Sequence, residues 1–263
     1  MIFNFSGTGN SRWAANYLAT ALKDEVCNIA EHASQQAAST DFADRQFDSV
    51  GFVFPVNGWM PPKIVRTFVQ NLKLKNPGKT YCYVVMTAGD CIGKAMDIMR
   101  KDLKQAGLEL HAAFSLIMPE SYVCLPGFNV DDPYKAKYKQ NEAARNLEIY
   151  TEYIIYKRKG VEQVTKGPVP WILTYVLGIP FNKLFITDKP FTVDEQRCTH
   201  CGKCAQVCPV KNIVWDGTPK WKKDGTCTNC MACYHHCPQH AINHRTTKNK
   251  GQYVCDMKVR LDG

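Results

Sequence analysis

The chain lacks the features that would mark a membrane-spanning, secreted or nucleotide-hydrolysing protein. Low-complexity segments are absent, and the most continuous apolar stretch, residues 168–181, is well short of the roughly twenty residues that cross a bilayer. Residues 1–5 show neither the basic segment nor the long apolar stretch of a secretory signal, so we expect a cytoplasmic protein without disulfides. The sequence also has no lysine-containing phosphate loop and no nicotinamide-binding module, which argues against a triphosphatase and against NAD(P)H as the direct electron donor.

Cysteine, in contrast, is abundant, and eight of the 13 cysteines follow a spacing that occurs twice, C-x-x-C-x-x-C-x-x-x-C-P. Three thiolates in one tight loop can bind one iron–sulfur cube, and the fourth cysteine of such a run ligates the other cube in two-cluster ferredoxins. We therefore expect two [4Fe–4S] clusters with interleaved ligands. The expected ligand sets are Cys198, Cys201, Cys204 and Cys237 for the first cluster, and Cys227, Cys230, Cys233 and Cys208 for the second.

Zinc is the main alternative reading of these cysteines. Structural zinc sites usually combine two C-x-x-C pairs, or cysteine with histidine at wider separation, and the triple run closed by Cys-Pro matches neither pattern well. Histidines do lie among the cysteines, but the cysteine set is complete without them, so we interpret them as surface residues. They are His200, His235, His236 and His240.

The repeat extends beyond the cysteines. Ile213 and Ile242 each stand five residues after the last cysteine of a run, and we expect each to pack over a cluster and exclude water. Residues 191–193 and 219–221, which precede the two runs, fit the short strands of a pair of pseudo-symmetric hairpins. Segment 190–243 closely resembles a bacterial-type two-cluster ferredoxin.

A second motif lies at the amino-terminal end, where an apolar run at residues 2–5 is followed by a glycine- and hydroxyl-rich loop and an Ala/Leu-rich segment. Glycine lets the backbone approach a ligand closely, and the following helix directs its free N–H groups at the same point. The loop resembles the flavodoxin phosphate loop, which binds the FMN phosphate without a cationic side chain. An ordinary strand-to-helix turn is the alternative. The loop consists of Ser6, Gly7, Thr8, Gly9, Asn10 and Ser11.

Two further loops follow apolar, strand-like runs in the order that flavodoxins require, and they favour FMN over an ordinary turn. The backbone of Gly58 and of residues 87–89 is the expected source of hydrogen bonds to the flavin ring. Trp59 could stack on the ring or simply cover the core, and Cys91 could tune or react with the flavin. The two loops contain Pro55, Val56, Asn57, Gly58 and Trp59, and Thr87, Ala88, Gly89, Asp90, Cys91 and Gly93. Cys27, Cys82, Cys124 and Cys255 show no metal spacing, and we interpret them as small apolar side chains.

Alternating segments predict an α/β fold for residues 1–158. We expect a flavodoxin-like, doubly wound parallel sheet of five strands in the order 2-1-3-4-5, followed by a small α+β ferredoxin-type domain at 190–243. The expected strands lie near 1–5, 25–29, 48–54, 79–86 and 108–118, and the helices near 10–22, 61–72, 93–106 and 133–158. Residues 159–189 are predicted to be a linker and 244–263 a carboxy-terminal extension.

The apolar stretch within the linker predicts a short helix packed between the two domains, with membrane-surface contact or partner docking as the alternative. The formal charge of +9 is mostly counter-charge for the bound cofactors, so we predict no nucleic-acid partner. Six basic residues could form a docking patch for an acidic redox partner, although we favour a plain solvated face as their explanation. They are Lys220, Lys222, Lys223, Arg245, Lys248 and Lys250.

Together, the two modules resemble the flavodoxin–ferredoxin fusion family of anaerobic bacteria and archaea. The resemblance implies electron transfer between FMN and two [4Fe–4S] clusters, with a ferredoxin-type donor or an oxidoreductase as redox partner. Two alternatives stay open. One is a flavin-dependent reductase of a small organic acceptor, with Tyr122 or Asp90 as proton donor, and the other is a redox sensor.

Overall fold

The computed structural model describes residues 1–32 and 41–259, and the amino-terminal part of the chain forms a parallel sheet. Its strands lie in the order β2-β1-β3-β4-β5-β6, and every neighbouring pair is parallel. They are β1 (Ile2–Asn4), β2 (Val26–Asn28), β3 (Ser49–Pro55), β4 (Tyr81–Ala88), β5 (Leu110–Ile117) and β6 (Val161–Gln163). The order of the first five strands is the flavodoxin-like one that the sequence predicts.

The sixth strand corrects the expected count of five. β6 pairs with β5 in the register Ala112↔Val161, so residues assigned to the linker extend the edge of the sheet. Segment 161–163 reads Val-Glu-Gln and is mostly exposed, and it has neither the length nor the apolar alternation that identifies a strand. It pairs because the outer edge of β5 would otherwise leave backbone N–H and C=O groups without partners.

Helices cover both faces of the sheet. They are α1 (Asn10–Leu22), α2 (Lys63–Asn71), α3 (Ala95–Gln105) and α4 (Pro133–Ile155). Because side chains alternate along a strand, Ile2 packs with α1 and α4 on one face, whereas Phe3 packs with α2 and α3 on the other. The two cores make this the doubly wound arrangement expected, and the carboxyl ends of the strands meet at one edge of the sheet.

The carboxy-terminal domain is built from two short antiparallel strand pairs and two single-turn helices. Its elements are β7 (Phe191–Val193), α6 (Lys203–Gln206), β8 (Ile213–Trp215), β9 (Pro219–Trp221), α7 (Ala232–His235) and β10 (Ile242–His244). β7 pairs with β10, and β8 pairs with β9. Both segments expected to be strands, 191–193 and 219–221, are strands.

The two cysteine runs adopt the same backbone conformation. The residue two positions after the first cysteine has a left-handed backbone in both runs, with φ of 53° at His200 and 50° at Asn229. The residue three positions after the last cysteine does the same, with 49° at Lys211 and 50° at His240. The sequence repeat is therefore also a structural repeat.

A helix connects the two domains. It consists of a π-helical segment, Ile172–Gly178, that continues into α5 (Ile179–Leu184), and we call residues 172–184 the interdomain helix. Thr174 Oγ1 donates to the carbonyl of Trp59 (3.1 Å) and accepts from the N–H of Lys94 (2.8 Å), so this face covers the loops after β3 and β4. Among the described residues, no helix combines the length and apolar character needed to span a bilayer.

The last described residues run back across both domains. Gln252 Nε2 donates to the carbonyl of Cys237 (2.8 Å), and Tyr253 N–H donates to His235 Nδ1 (3.1 Å). The hydroxyl of Tyr253 donates to Asn10 Oδ1 (2.7 Å) in the other domain. We call residues 252–258 the C-terminal strap; residues 260–263 of the expected extension lie outside the described part of the chain.

Candidate redox site

The loop between β1 and α1 is held by its own polar side chains. Ser6 Oγ accepts from the N–H of Gly9 (3.2 Å), and Gly9 has a φ of 104°, a conformation that favours glycine. The hydroxyl of Ser11 lies 2.7 Å from the hydroxyl of Thr87, which ties this loop to the end of β4. Among the described residues, no side chain caps α1, so the first N–H groups of the helix are left for a ligand at the loop.

One cavity joins this loop to the ends of β3 and β4. The residues on its wall that the sequence analysis singled out are Ser6, Gly7, Thr8, Asn10, Ser11, Pro55, Val56, Asn57, Gly58, Thr87, Ala88 and Gly89. The space between atoms amounts to about 700 Å³, including the side open to solvent. We call it the amino-terminal cavity.

The remaining predicted flavin-site residues do not line this cavity. Gly9 lies against Cys255 of the C-terminal strap, and Asp90 is exposed. Trp59 and Gly93 lie under Thr174 of the interdomain helix. Cys91 packs against Gly167. Their proximity to a flavin therefore stays a prediction from the sequence.

The wall also contains residues other than those of the predicted flavin loops and the cluster ligands, and the sequence analysis offers only one of them, Tyr122, a role, as a proton donor. They are Pro119, Glu120, Ser121, Tyr122, Phe181, Ile186, Asn229 and Met231. The sequence signal for residues 119–122 was their position directly after β5, at the same edge of the sheet. Phe181 had no such signal, because it lay in a stretch that was apolar on every side.

Glu120 and Tyr122 give this wall its chemical character. Glu120 Oε1 accepts from the N–H groups of Ser121 (2.9 Å) and Tyr122 (2.7 Å). Burial raises the pKa of Glu120, and these hydrogen bonds oppose the rise only in part. The ring of Tyr122 meets the ring of Phe181 edge-on at 5.4 Å. The wall thus combines a carboxyl group that holds its proton more strongly than usual with two aromatic rings.

These residues offer different chemistry to the two ends of FMN. Hydroxyl groups and uncapped N–H groups suit a phosphate. The aromatic rings of Tyr122 and Phe181 on the same wall suit a flat isoalloxazine. The chemistry of the donor set therefore fits FMN, with the ring at the domain boundary.

The eight cysteines of the two runs line two separate cavities, each with about 300 Å³ of space between atoms. Cys198, Cys201, Cys204 and Cys237 line one, together with Ile242; we call it the first cluster cavity. Cys208, Cys227, Cys230 and Cys233 line the other, together with Ile213; we call it the second cluster cavity. These groupings coincide with the two interleaved sets expected from the spacing.

Burial controls the ionisation of several of these thiols. It raises the pKa of Cys204 to about 11 and that of Cys227 to about 12. Thiolates are the form that binds metal, so loading releases protons. In the described part of the chain, no three or more His, Cys, Asp or Glu side chains converge on the position of a single metal ion.

The second cluster cavity adjoins the amino-terminal cavity. Cys230 lines both, and so do Asn229 and Met231. A methyl group placed on Gly7 would lie 2.7 Å from the Cβ and the carbonyl oxygen of Cys230 and 3.2 Å from its Sγ. The loop of residues 6–11, which we call the phosphate-type loop, is therefore in direct van der Waals contact with Cys230, a predicted cluster ligand. The first cluster cavity, in contrast, shares no lining residue with the amino-terminal cavity.

Family comparisons agree with the cysteine pattern. A family model described as a 4Fe-4S dicluster domain matches residues 191–238, and a second model with the same description matches residues 154–212. The chain therefore carries a 4Fe-4S dicluster domain in its carboxy-terminal part.

Three curated archaeal proteins are similar to parts of the chain. An uncharacterized ferredoxin of Methanocaldococcus jannaschii is 36% identical, over 22% of this chain and 80% of that protein. A dihydromethanopterin reductase (acceptor) of Methanosarcina mazei is 32% identical, over 31% of this chain and 34% of the reductase. One polypeptide of the H2:CoB-CoM heterodisulfide,ferredoxin reductase of Methanothermobacter marburgensis is 29% identical over 34% of this chain. The chain spans only 16% of the length of that polypeptide.

Solved structures resemble the amino-terminal part more distantly. An NADH:FMN oxidoreductase in its apo form has a TM-score of 0.39 and 10% identity, with 65% of this chain and 97% of that chain covered. Rubredoxin oxygen:oxidoreductase of Desulfovibrio gigas has a TM-score of 0.36 and 16% identity, with 56% of this chain and 35% of that chain covered.

Proposed function

We propose that this chain, whose residues 191–238 belong to the 4Fe-4S dicluster ferredoxin family, transfers electrons between two [4Fe–4S] clusters and an FMN held in the amino-terminal cavity. The contact of Gly7 with Cys230 carries the proposal, because it joins the predicted phosphate loop to a predicted cluster ligand. Iron–sulfur clusters supply one-electron steps, often at low potential, and a flavin supplies one- or two-electron chemistry.

The residues of the chain have separate tasks in this proposal. The loop from Ser6 to Ser11 would hold the phosphate, and the backbone at Gly58 and at residues 87–89 would orient the ring. Tyr122 and Phe181 would keep water from the open side of the ring. Ile213 (7% exposed) and Ile242 (1% exposed) line the two cluster cavities and would exclude water from the clusters, which affects their potentials.

The physiological partner in this proposal is a one-electron carrier, a ferredoxin-type protein or an oxidoreductase, in the cytoplasm. The first cluster cavity is the expected point of exchange, because its Cys201 is exposed, whereas the four cysteines of the second cavity are half-buried or buried. The names of the curated relatives, a ferredoxin and two reductases, agree with a redox partner.

Anaerobic reconstitution with iron, sulfide and FMN tests the proposal. We expect eight irons and one FMN per chain, and flavin bleaching when a reduced bacterial-type ferredoxin is added. Cys230→Ala should slow this bleaching by at least an order of magnitude, because it removes a ligand of the cluster nearest the flavin. Cys27→Ala is the matched control, since Cys27 lies in β2 away from all three cavities.

Several results would contradict the proposal. They are zinc in place of eight irons, no bound flavin, or flavin reduction by the ferredoxin that is equally fast in the Cys230→Ala variant and in the control.

A second candidate function is reduction of a small organic acceptor at the flavin. Glu120 favours it, because a buried carboxyl group with a raised pKa on the wall of the cavity can deliver a proton. Turnover of a quinone or nitro compound by the reduced protein, compared with turnover of a ferredoxin, separates the two. If Glu120→Gln lowers quinone turnover and leaves ferredoxin turnover unchanged, the reductase is favoured.

A further inference from the structure

A fourth cavity, much larger than the other three, lies in the groove between the two domains. The space between its atoms amounts to about 2050 Å³, including the side open to solvent, and its cavity volume of about 960 Å³ lies within the range of small-molecule sites. Its walls are the start of α2, the interdomain helix and residues 225–228 of the cluster domain. We call it the interdomain groove.

The walls of the groove are basic. Three of its described lining residues carry a positive charge, Lys63, Arg66 and Lys183, and none carries a carboxylate. Arg66 is already neutralised by Asp102, to which it donates two hydrogen bonds (2.7 and 3.0 Å). Within the described residues, Lys63 and Lys183 form no ion pair, and both are exposed. Asp224, which precedes the lining residue Gly225, accepts a hydrogen bond from the hydroxyl of Thr226 (2.6 Å) and does not itself line the groove. Lys63 and Lys183 therefore line the groove without an ion-pair partner among the described residues.

The rest of the groove is largely apolar. Met60, Pro61 and Pro62 form one side, and Ile186 and Val210 form another. Several polar side chains that reach the groove have partners in the protein: Asn182 Nδ2, for example, donates to the carbonyl of Asn57 (3.1 Å). The hydroxyl of Thr228 is buried and has no partner among the described residues. The lysines and the apolar walls are the other groups without a partner that a ligand would contact.

We propose that the interdomain groove binds an acidic organic molecule with an apolar body, such as an aromatic carboxylate or phosphate. The two lysines bind the anionic group, and the proline and isoleucine walls bury the ring. The groove is separate from the amino-terminal cavity: Asn57 and Ile186 line both, but no residue of the phosphate-type loop reaches the groove. Cys227 lies on the wall, so a molecule held here is next to the second cluster cavity.

Titration calorimetry of the reconstituted, oxidised protein with naphthalene carboxylate and its neutral amide, naphthalene carboxamide, tests this site. The carboxylate should bind measurably tighter than the amide, with an affinity that falls as salt is added. Lys63→Gln and Lys183→Gln should each weaken carboxylate binding about five- to tenfold and leave amide binding unchanged, as loss of one charged hydrogen bond implies. Lys79→Gln is the control, because Lys79 is exposed and lines none of these cavities.

Two additional measurements test whether the ligand binds in the interdomain groove. Thr67→Phe adds volume on the α2 wall without changing charge, and it should weaken both probes. Saturation with FMN should leave carboxylate binding unchanged, which also separates this site from the proposed flavin site. Equal affinity for the two probes, equal binding by the lysine variants and the control, or displacement by FMN would each overturn the proposal.

Discussion

At the scale of single residues, the decisive position is Gly7. It has no side chain, and Cys230 of the other domain occupies the space beside its Cα. A larger residue would force the phosphate-type loop and the second cysteine run apart. The requirement for glycine here therefore comes from the approach of two backbones.

Gly7→Ala should consequently destabilise the domain contact. We expect a loss of about 1–3 kcal/mol of unfolding free energy, typical of overpacking in a closed site, and slower electron exchange between flavin and clusters. Gly78→Ala is the matched control, because nothing lies within 4 Å of the position its methyl group would take. Thermal melts of both reconstituted variants would measure this. If both melt at the wild-type temperature, the loop does not contact Cys230 as described.

At the scale of elements, the pairing of β4 with β5 contains a bulge, and His111 of β5 supplies the hydrogen-bond acceptor that the bulge removes from the ladder. The register shifts between Cys82 and Tyr83, which leaves His111 as the extra residue of a bulge. Its Nδ1 accepts the N–H of Cys82 (3.1 Å). The imidazole thus takes the place of a backbone carbonyl as the acceptor in the strand ladder. It can do so only while Nδ1 carries no proton, that is, in the neutral form of the ring.

This arrangement predicts a pH dependence of stability. Burial, aided by Lys159, lowers the pKa of His111 below its usual 6.5, and Glu109 opposes the shift only in part. The native state then binds fewer protons than the unfolded state between the lowered pKa and 6.5. The stabilisation from this residue is fully present above about pH 6.5 and is lost as the pH falls through that interval.

His111→Phe keeps a ring but leaves the N–H of Cys82 without an acceptor. We expect it to cost about 1–3 kcal/mol at about pH 7.5, with a smaller difference from wild type near pH 5. Urea unfolding followed by tryptophan fluorescence at both pH values would show the change. A difference that is constant, or larger in acid, would rule out this role for the imidazole.

At the scale of the whole molecule, the C-terminal strap connects the two domains through hydrogen bonds at both ends. Its Tyr253 bonds His235 through the backbone and Asn10 through the hydroxyl. Further along, the N–H of Cys255 donates to the carbonyl of Thr8 (2.8 Å), within the phosphate-type loop. The strap therefore supports the loop that the proposed function requires to lie beside Cys230.

Tyr253→Phe removes one of these bonds and leaves the ring in place. We expect a loss of about 0.5–1.5 kcal/mol and faster proteolytic removal of the strap. Tyr138→Phe is the control, because Tyr138 lies on α4 with 61% of its surface exposed. Limited proteolysis with mass spectrometry would compare the two. Equal cleavage rates would mean that the hydroxyl of Tyr253 does not secure the strap.

The sequence by itself determined what depends on local spacing and backbone conformation. The cysteine repeat predicted two strand pairs around two sets of thiols, and the glycine-rich loop after residues 2–5 predicted the first strand-to-helix turn. Both can be derived without knowledge of distant residues, because the ligands of a run and the N–H groups of a helix start lie within a few positions of each other. The order of the first five strands was implied by the resemblance to flavodoxins, whose ligand loops follow the first, third and fourth strands.

Tertiary structure alone decided which distant segments meet. It added β6 to a free sheet edge, brought Tyr122 and Phe181 to the wall of the amino-terminal cavity, and left Trp59 under the interdomain helix. It also placed Cys230 against Gly7. Short polar strands, apolar linkers and single glycines carry no periodic signal, and their contacts depend on packing between segments far apart in the chain.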